Sequence, residues 1–259
     1  MQLPADRQEA LRAQLPFFKK TVHEFLPTAT KFLCAQEVHG SEIAIISGSE
    51  GDQNLTRIFH GESAAACESL MQTALDSGLG LGSMSNTVQR RNPRPPCLHH
   101  TALRLATNHR EICGLIPEVD GLMTRESNVA LGITFADCAP VWIVNPARKA
   151  VALVHSGKRG TEAGIVPKAI QWLQTKFESQ PQDLIITIGP CIRPPCYEVD
   201  FAKSIREQAL EAGVGEIRDE KICTACDLEK YYSYRREKGK TGHMLAVVMI
   251  RCKRSTEWF

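Results

Sequence analysis

Apolar and polar positions follow two periods along this chain, and each period predicts one type of element. Apolar residues that recur every three or four positions predict helices at residues 5–26, 161–177, 201–212 and 228–236. Short, nearly continuous apolar runs predict strands at residues 33–35, 43–46, 129–135, 141–144, 150–154, 184–188 and 245–250. Because several of these runs are apolar at every position, we expect strands that are covered on both faces.

The predicted strands and helices mix without a strict alternation, which favours an α/β (α+β) fold with layered mixed sheets. A chain of 259 residues, of which 43% are hydrophobic, can bury one substantial core. We therefore predict a single domain over residues 1–259. Residues 50–118 are the least regular part, with glycine and proline throughout residues 78–96, and we interpret them as an insertion or a lid.

The charge balance gives no reason to expect a polyanionic partner, because the formal net charge is only +2. A membrane-spanning helix requires about 20 apolar residues, and no apolar run approaches that length. The N-terminal residues lack the apolar core of a signal peptide, and the ten cysteines are scattered as in a reduced, cytosolic protein. We expect a cytoplasmic monomer or homodimer that binds neither nucleic acid nor membranes.

Reactive side chains follow two neighbouring apolar runs in the middle of the chain. Cys138, with Asp137 beside it, follows the first run, and His155 ends the second. Their separation of 17 positions fits two adjacent strands joined by a turn at Asn145. Since strand ends commonly carry functional groups, we take these three side chains as candidate catalytic residues.

His39 lies between two predicted strands in the segment QEVHGSEI and is the third candidate ligand. With Cys138 and His155 it would complete a His2Cys set, and three protein ligands with an open position are the pattern of catalytic zinc. Such ligands also accept copper, so the metal stays open. Two other interpretations also remain. Cys138 and His155 are a nucleophile and its base, or they are buried groups with no chemical role.

A basic loop, SGKRGT, follows His155 and leads into a predicted helix. Backbone N–H groups at a helix start, with Lys158, Arg159 and Gly160 beside them, predict a phosphate-binding loop. The alternative is a solvated turn with its N-cap at Thr161. Tyr234 and Arg235 belong to an aromatic and basic cluster that either faces solvent or binds a base and a phosphate.

Four further cysteines are spaced like metal ligands. Cys223 and Cys226 form a CxxC pair, and Cys191 and Cys196 form a second pair. Together they are either a structural zinc site or an accidental spacing, and the sequence does not decide between the two.

Several motifs in combination resemble the laccase-domain family, which is also called the YfiH-like or polyphenol oxidase family. They are QEVHGSEI, EVDGLMT, FADCAPVWIVNP, AVALVHSGKRGTEAGIV, IGPCIRPPCYEV and YYSYRREKGKTGHMLAVV. The resemblance is nearly continuous from residue 119 to residue 250. It implies a four-layer α-β-β-α sandwich and a zinc centre held by His39, Cys138 and His155.

The resemblance also implies activities. These are phosphorolysis of purine nucleosides (adenosine, inosine, guanosine and methylthioadenosine), adenosine deamination and copper-dependent oxidation of phenols. Arg159 and Arg235 are then the candidates for binding phosphate. The chain departs from the family pattern at Lys158, where the family has tryptophan, and at Ala139, where it has leucine.

Three alternatives stay open beside this expectation. The protein is a thiol hydrolase that uses Cys138 and His155, or a diverged homologue without catalysis. In the third, a histidine of the long segment after His39 replaces it as a ligand, the candidates being His99, His100 and His109.

Overall fold

The computed structural model describes residues 5–49, 52–59 and 112–252. In these residues the elements follow in the order α1 (Ala5–Phe25), β1 (Lys31–Gln36), β2 (Ile43–Ser49), β3 (Asp52–Phe59), β4 (Ile112–Pro117), β5 (Gly121–Thr124), β6 (Val129–Phe135), β7 (Ala139–Asn145), β8 (Ala150–Ser156), α2 (Lys158–Glu162), α3 (Ile165–Phe177), β9 (Ile185–Ile188), α4 (Phe201–Glu211), β10 (Glu216–Asp219) and β11 (Met244–Met249).

The strands form two mixed sheets. The smaller sheet has the order β11-β6-β1-β4, in which β1 is parallel to both neighbours and β11 is antiparallel to β6. The larger sheet has the order β10-β9-β7-β8-β5-β2-β3. Consecutive strands β1 and β2 belong to different sheets, so the loop between them crosses from one sheet to the other.

The two sheets pack face to face, because their strands are apolar at alternate positions on the inner side. Leu33 and Ala35 of β1 meet Leu122 of β5 and Val151 and Leu153 of β8 in one buried cluster. Alternation along a strand sends successive side chains to opposite faces. The side chains at the intervening positions of each strand therefore face the helices on the outer side of the sheet.

Helices cover the outer face of each sheet. Phe18 and Val22 of α1 pack on Phe32 and Cys34 of β1. On the larger sheet, Val154 of β8 lies in a cluster with residues of α3 and α4, namely Ile165, Ala169, Leu173, Ile205 and Ala209. The layers are therefore helix, sheet, sheet, helix, and the predicted α-β-β-α sandwich with mixed sheets is confirmed.

The helix predicted at residues 161–177 is confirmed over Ile165–Phe177 but is interrupted near its start. The structure has a short helix, α2, from Lys158 to Glu162 and a longer one, α3, that begins at Ile165. Gly164 lies between them with φ of 70°, a left-handed conformation that ends a right-handed helix.

The helix predicted at residues 228–236 is wrong, since this segment consists of turns. The Arg235 N–H donates to the Asp137 carboxylate at 2.7 Å, and the Ser233 N–H donates to the Glu237 carboxylate at 3.0 Å. A helix needs each of these donors for a carbonyl four residues earlier. The carboxylates compete with the helix and hold the turns instead.

The range 50–118, interpreted as an insertion or a lid, has sheet strands at both ends. Its described residues belong to β3 at the edge of the larger sheet and to β4 at the edge of the smaller one. Residues 60–111 lie outside the described residues, so an insertion there stays a prediction. Among the described helices, none combines the length and the apolar character that crossing a bilayer requires.

We expect Leu153→Ala to lower the free energy of unfolding by about 2–5 kcal/mol, because it opens a cavity between the sheets. Leu153 is fully buried, whereas Leu210 on α4 is 53% exposed. Leu210→Ala is therefore the matched control and should change stability by less than about 0.5 kcal/mol. Urea denaturation of the three proteins measures both values, and equal effects of the two substitutions would contradict the layer assignment.

Candidate metal centre

Cys138 and His155 lie at the same end of the larger sheet, because β7 and β8 are antiparallel neighbours. Pro140 pairs with His155 and Ala139 pairs with Ser156. Cys138 immediately precedes β7, so its thiol lies beside the residues that follow β8. β7 and β8, which the turn at Asn145 joins, are adjacent as predicted, whereas β6, the apolar run that Cys138 follows, lies in the smaller sheet.

His39 reaches the same place from the loop that crosses between the sheets. Its φ of 61° lies in the left-handed region, which few residues other than glycine adopt. The N–H of His39 donates a hydrogen bond to Oδ1 of Asp120 at 2.8 Å, and this bond stabilises the unusual backbone conformation.

Asp120 joins the His39 loop to His155. Its Oδ2 accepts a hydrogen bond from the Gly40 N–H at 2.8 Å, and its Oδ1 lies 3.3 Å from His155 Nδ1. Its carbonyl also accepts a hydrogen bond from the His155 N–H at 2.7 Å. Asp120 is fully buried, and a buried carboxylate is stable only when its oxygens are paired. One side chain therefore fixes the positions of both histidines.

The ligand atoms of His39, Cys138 and His155 lie within 4.8 Å of one another. The two imidazole rings meet edge to face, with centroids 5.0 Å apart. Asp120 engages Nδ1 of His155, which leaves Nε2 for a ligand. This carboxylate–histidine arrangement is the one that orients histidines at metal sites, and the donor set fits one metal ion.

The thiol and the imidazoles change each other's pKa. Burial alone would raise the pKa of Cys138, but His155 and His39 lower that pKa to about 6. The pKa of His155 is raised well above its usual value, because Cys138 and Asp120 outweigh the opposing effect of burial. Without a metal, the favoured state is therefore a thiolate beside an imidazolium. The thiolate is also the form that binds metals.

A second buried carboxyl group, that of Glu37, lies on the His39 loop. Its Oε1 accepts a hydrogen bond from the Thr134 N–H at 2.7 Å, and the Thr134 hydroxyl donates to Oε2 at 3.1 Å. Burial raises the pKa of Glu37, and the positive charge of His155 opposes this increase. Glu37 thereby attaches the loop to β6 of the smaller sheet.

Two glycines of the SGKRGT loop make room for the site. A Cβ at Gly157 would lie 2.4 Å from Cys138 Sγ, closer than real contacts allow. A Cβ at Gly160 would lie 3.1 Å from the carbonyl oxygen of Gly40. The close approach of the loop to the ligands therefore requires glycine at 157 and favours it at 160.

Lys158 and Arg159 begin α2, and both side chains are exposed. The N-cap of α2 is Gly157. Thr161 lies inside the helix with its hydroxyl 2.9 Å from Ser156 Oγ, so the alternative N-cap at Thr161 is wrong. The loop that carries these two exposed cationic side chains thus passes close to Cys138 at Gly157, and the phosphate-binding loop stays a prediction.

Asp137 adopts a positive φ of 87° and uses both carboxylate oxygens within the fold. It accepts hydrogen bonds from the Thr224 hydroxyl at 2.7 Å and from the Arg235 N–H at 2.7 Å. These contacts indicate that Asp137 positions neighbouring loops. The catalytic role predicted for Asp137 stays a prediction.

Arg235 and Tyr234 are exposed on the loop that Asp137 holds. The Arg235 guanidinium lies 5.4 Å from the ring centroid of Tyr197, and Nη2 is 3.4 Å from the Glu198 carboxylate. The backbone of Arg235 is thus held by Asp137, and its exposed guanidinium is paired with Glu198 and Tyr197.

The pattern of residues along the chain predicts no role for Asp120, although Asp120 belongs to the family-like motif EVDGLMT. A carboxylate placed directly before a short apolar run was the available signal. His99, His100 and His109, the alternative third ligands, lie outside the described residues.

The fold and the site define a class: an α/β sandwich with a His–Cys–His cluster at one end of its larger sheet. The chain belongs to the family described as multi-copper polyphenol oxidoreductase laccase, whose model matches residues 94–203 and 199–251. The family predicted from the sequence motifs is therefore confirmed.

Relatives of known name agree with this family. A purine nucleoside phosphorylase, YlmD of Geobacillus stearothermophilus, is 35% identical over 175 residues, which cover 55% of this chain and 62% of the relative. YlmD of Bacillus subtilis is 28% identical over 54% of this chain and 61% of the relative. The chain thus spans less than two thirds of the length of these two relatives.

Solved structures show the same fold. The crystal structure of YlmD from Geobacillus stearothermophilus matches with a TM-score of 0.61 and 26% identity, over 90% of this chain and 78% of that one. The Bacillus licheniformis hypothetical protein YfiH matches with a TM-score of 0.51 and 27% identity, over 53% of this chain and 63% of that one.

We expect Asp120→Asn to weaken metal binding by about 10–100-fold, because the amide has one acceptor where the carboxylate has two. The amide NH₂ would face an N–H donor of the His39 loop. Competition with a chromogenic chelator measures the metal affinity. Asp183→Asn, at an exposed position of a 3₁₀ turn, is the matched control and should bind metal as the unchanged protein does. Unaltered affinity in Asp120→Asn would contradict the role assigned to Asp120.

Proposed function

We propose that the chain is a zinc-dependent purine nucleoside phosphorylase. The observation that carries the proposal is the His39, Cys138 and His155 cluster beside a loop with two exposed cationic side chains. Relatives that bear the name purine nucleoside phosphorylase support it. The proposed substrates are adenosine, inosine, guanosine and methylthioadenosine, together with phosphate.

Zinc is the proposed metal, because it binds imidazole and thiolate ligands and because neither phosphorolysis nor deamination needs a metal that changes its oxidation state. A zinc ion held there would supply a Lewis acid that polarises a substrate or activates water. The chain itself supplies the ligand geometry. Asp120 orients His155, and Gly157 lets the Cys138 thiol lie close to the loop.

Phosphate is the proposed attacking group, and Arg159 and Arg235 are the side chains proposed to bind it. Guanidinium groups bind phosphate through paired hydrogen bonds, and Lys158 adds a further positive charge. In the reaction a phosphate oxygen forms a bond to C1′ of the ribose as the bond from C1′ to the purine nitrogen breaks. The purine keeps the electron pair and takes a proton, and ribose 1-phosphate is released.

Tyr234 is proposed to stack on the purine. Tyr234 is 56% exposed and directly precedes Arg235, so one loop carries an exposed aromatic residue and an exposed cation.

Adenosine deamination is a second reaction proposed for the same site. In that reaction a water oxygen forms a bond to C6 of the purine, the bond from C6 to the amine breaks, and ammonia and inosine are released.

A thiol hydrolase is the competing function, and one observation favours it: His155 and His39 lower the pKa of Cys138 to about 6. Such a thiolate is a nucleophile in the metal-free protein. Stoichiometric zinc together with slow alkylation of Cys138 by iodoacetamide would favour the phosphorylase. Rapid alkylation in protein that carries zinc would favour the hydrolase. Copper-dependent oxidation of phenols, which the family description names, is tested by loading copper and assaying a phenolic substrate.

We expect Cys138→Ser to abolish measurable phosphorolysis, because serine replaces the thiolate ligand with a poor donor for zinc. The assay supplies adenosine and phosphate to metal-loaded protein and follows adenine and ribose 1-phosphate. Cys252→Ser changes an exposed cysteine near the chain end and should keep full activity. If the metal-loaded unchanged protein converts no purine nucleoside, with or without phosphate, the proposal fails.

We expect Arg235→Ala to raise the KM for phosphate about tenfold or more, since a charge-assisted hydrogen bond contributes ~1.5–3 kcal/mol. The KM for nucleoside should change much less. Arg218→Ala removes an exposed guanidinium from the edge strand β10 and serves as the control. Steady-state kinetics at varied phosphate give the values, and an unchanged KM for phosphate in Arg235→Ala would move the phosphate site elsewhere.

A further inference from the structure

Three cysteines form a second cluster of possible metal ligands. The thiols of Cys196, Cys223 and Cys226 lie within 4.8 Å of one another, and the sulfurs of Cys196 and Cys226 are 3.6 Å apart. Neither the proposed reaction nor the comparisons give this cluster a role. The cluster contains both cysteines of the CxxC pair and one cysteine, Cys196, of the second pair.

We propose that Cys196, Cys223 and Cys226 bind a second Zn²⁺ ion with a structural role. A Zn–S bond is about 2.3 Å long, so sulfurs at adjacent corners of a tetrahedral site lie about 3.8 Å apart. The 3.6 Å separation of the Cys196 and Cys226 sulfurs is close to that spacing. The three thiols therefore need only small movements to bind a single ion.

The backbone holds the two cysteine segments together before any metal binds. The Thr224 N–H donates to the carbonyl of Cys191 at 3.2 Å, and the Cys191 N–H donates to the carbonyl of Ile222 at 3.1 Å. The CxxC pair itself closes a 3₁₀ turn, with the Cys226 N–H 3.2 Å from the Cys223 carbonyl. Since these hydrogen bonds already hold the loops, metal binding costs little conformational entropy of the backbone.

Cys191, the fourth member of the two pairs, does not join the cluster. It is fully buried in the core beneath α3 and α4, and burial raises its pKa to about 12. Cys226 is exposed, and the three thiols leave one of the four zinc positions to a ligand other than these cysteines.

The proposed site is connected to the first one through Asp137. Thr224 lies inside the CxxC turn and donates to the Asp137 carboxylate, which also holds the Arg235 N–H. The Ile192 N–H donates to the carbonyl of Asp137 at 2.8 Å. Asp137 directly precedes Cys138. A zinc ion on the three cysteines would therefore stabilise the loops that place Cys138 and Arg235.

The test is the zinc content of single and double variants, measured by mass spectrometry on protein purified under reducing conditions. We expect two zinc ions per chain in the unchanged protein, one in Cys226→Ser, one in Cys138→Ser, and none in the double variant. Cys252→Ser is the matched control, since it removes another exposed cysteine and should keep two. Circular dichroism checks folding of each variant, and exposure of Cys226 makes its replacement the mildest of the three.

Cobalt gives a readout that is independent of activity. Co²⁺ bound to several thiolates has an intense charge-transfer absorption in the near ultraviolet. We expect Cys138→Ser to retain most of this absorption and Cys226→Ser to lose most of it, because the second site supplies three thiolates and the first supplies one.

Three results would overturn the inference. One is equal zinc content in Cys226→Ser and the unchanged protein. Another is a single zinc ion in the unchanged protein that is lost in Cys138→Ser. The third is a disulfide between Cys196 and Cys226 in protein purified under reducing conditions, seen as a mass lower by two hydrogens. Loss of zinc from Cys226→Ser with retained phosphorolysis would leave the inference standing, whereas absent phosphorolysis with two zinc ions would refute only the proposed reaction.

Discussion

The hydrogen bonds of one buried carboxylate hold this site together. Asp120 accepts hydrogen bonds from the backbone of His39 and Gly40 and contacts the ring of His155. These partners come from the loop that crosses between the sheets and from β8 in the larger sheet. Because a buried charge without partners is strongly unfavourable, the pairing of the sheets and the positions of the histidines depend on each other. The site can form only where the sandwich is correctly assembled.

The layers of the fold explain why the chemistry lies where it does. Helices cover both outer faces and the inner faces pack on each other, so functional groups are left to the strand ends. Cys138 and His155 occupy the ends of two antiparallel neighbours, and glycine at 157 allows the next loop to pass the thiol. Asp137 then connects this end to the loops of Arg235 and the second cysteine cluster. Two clusters of soft ligands thus share one framework of hydrogen bonds.

Local patterns predicted the elements that are buried on both faces. Strands β6, β7 and β8 appear where apolar runs predicted them, because burial requires apolar residues at every position. Short or polar strands gave no such signal. β5 has four residues and β10 is half exposed at the sheet edge. The helix predicted at residues 228–236 failed because the carboxylates of Asp137 and Glu237 compete for its backbone donors, and Asp137 is almost a hundred residues away.

The sequence by itself determined the layered α/β class, the family motifs, and His39, Cys138 and His155 as candidate ligands. These follow from residue type and local order, which a linear pattern retains. Only the tertiary structure decided that the three side chains meet and that Asp120 orients two of them. It also separated Cys191 from the other three cysteines, placing its thiol in the core although all four looked alike in sequence. Contacts across 80 or more positions depend on strand pairing and burial, which no short segment of sequence contains.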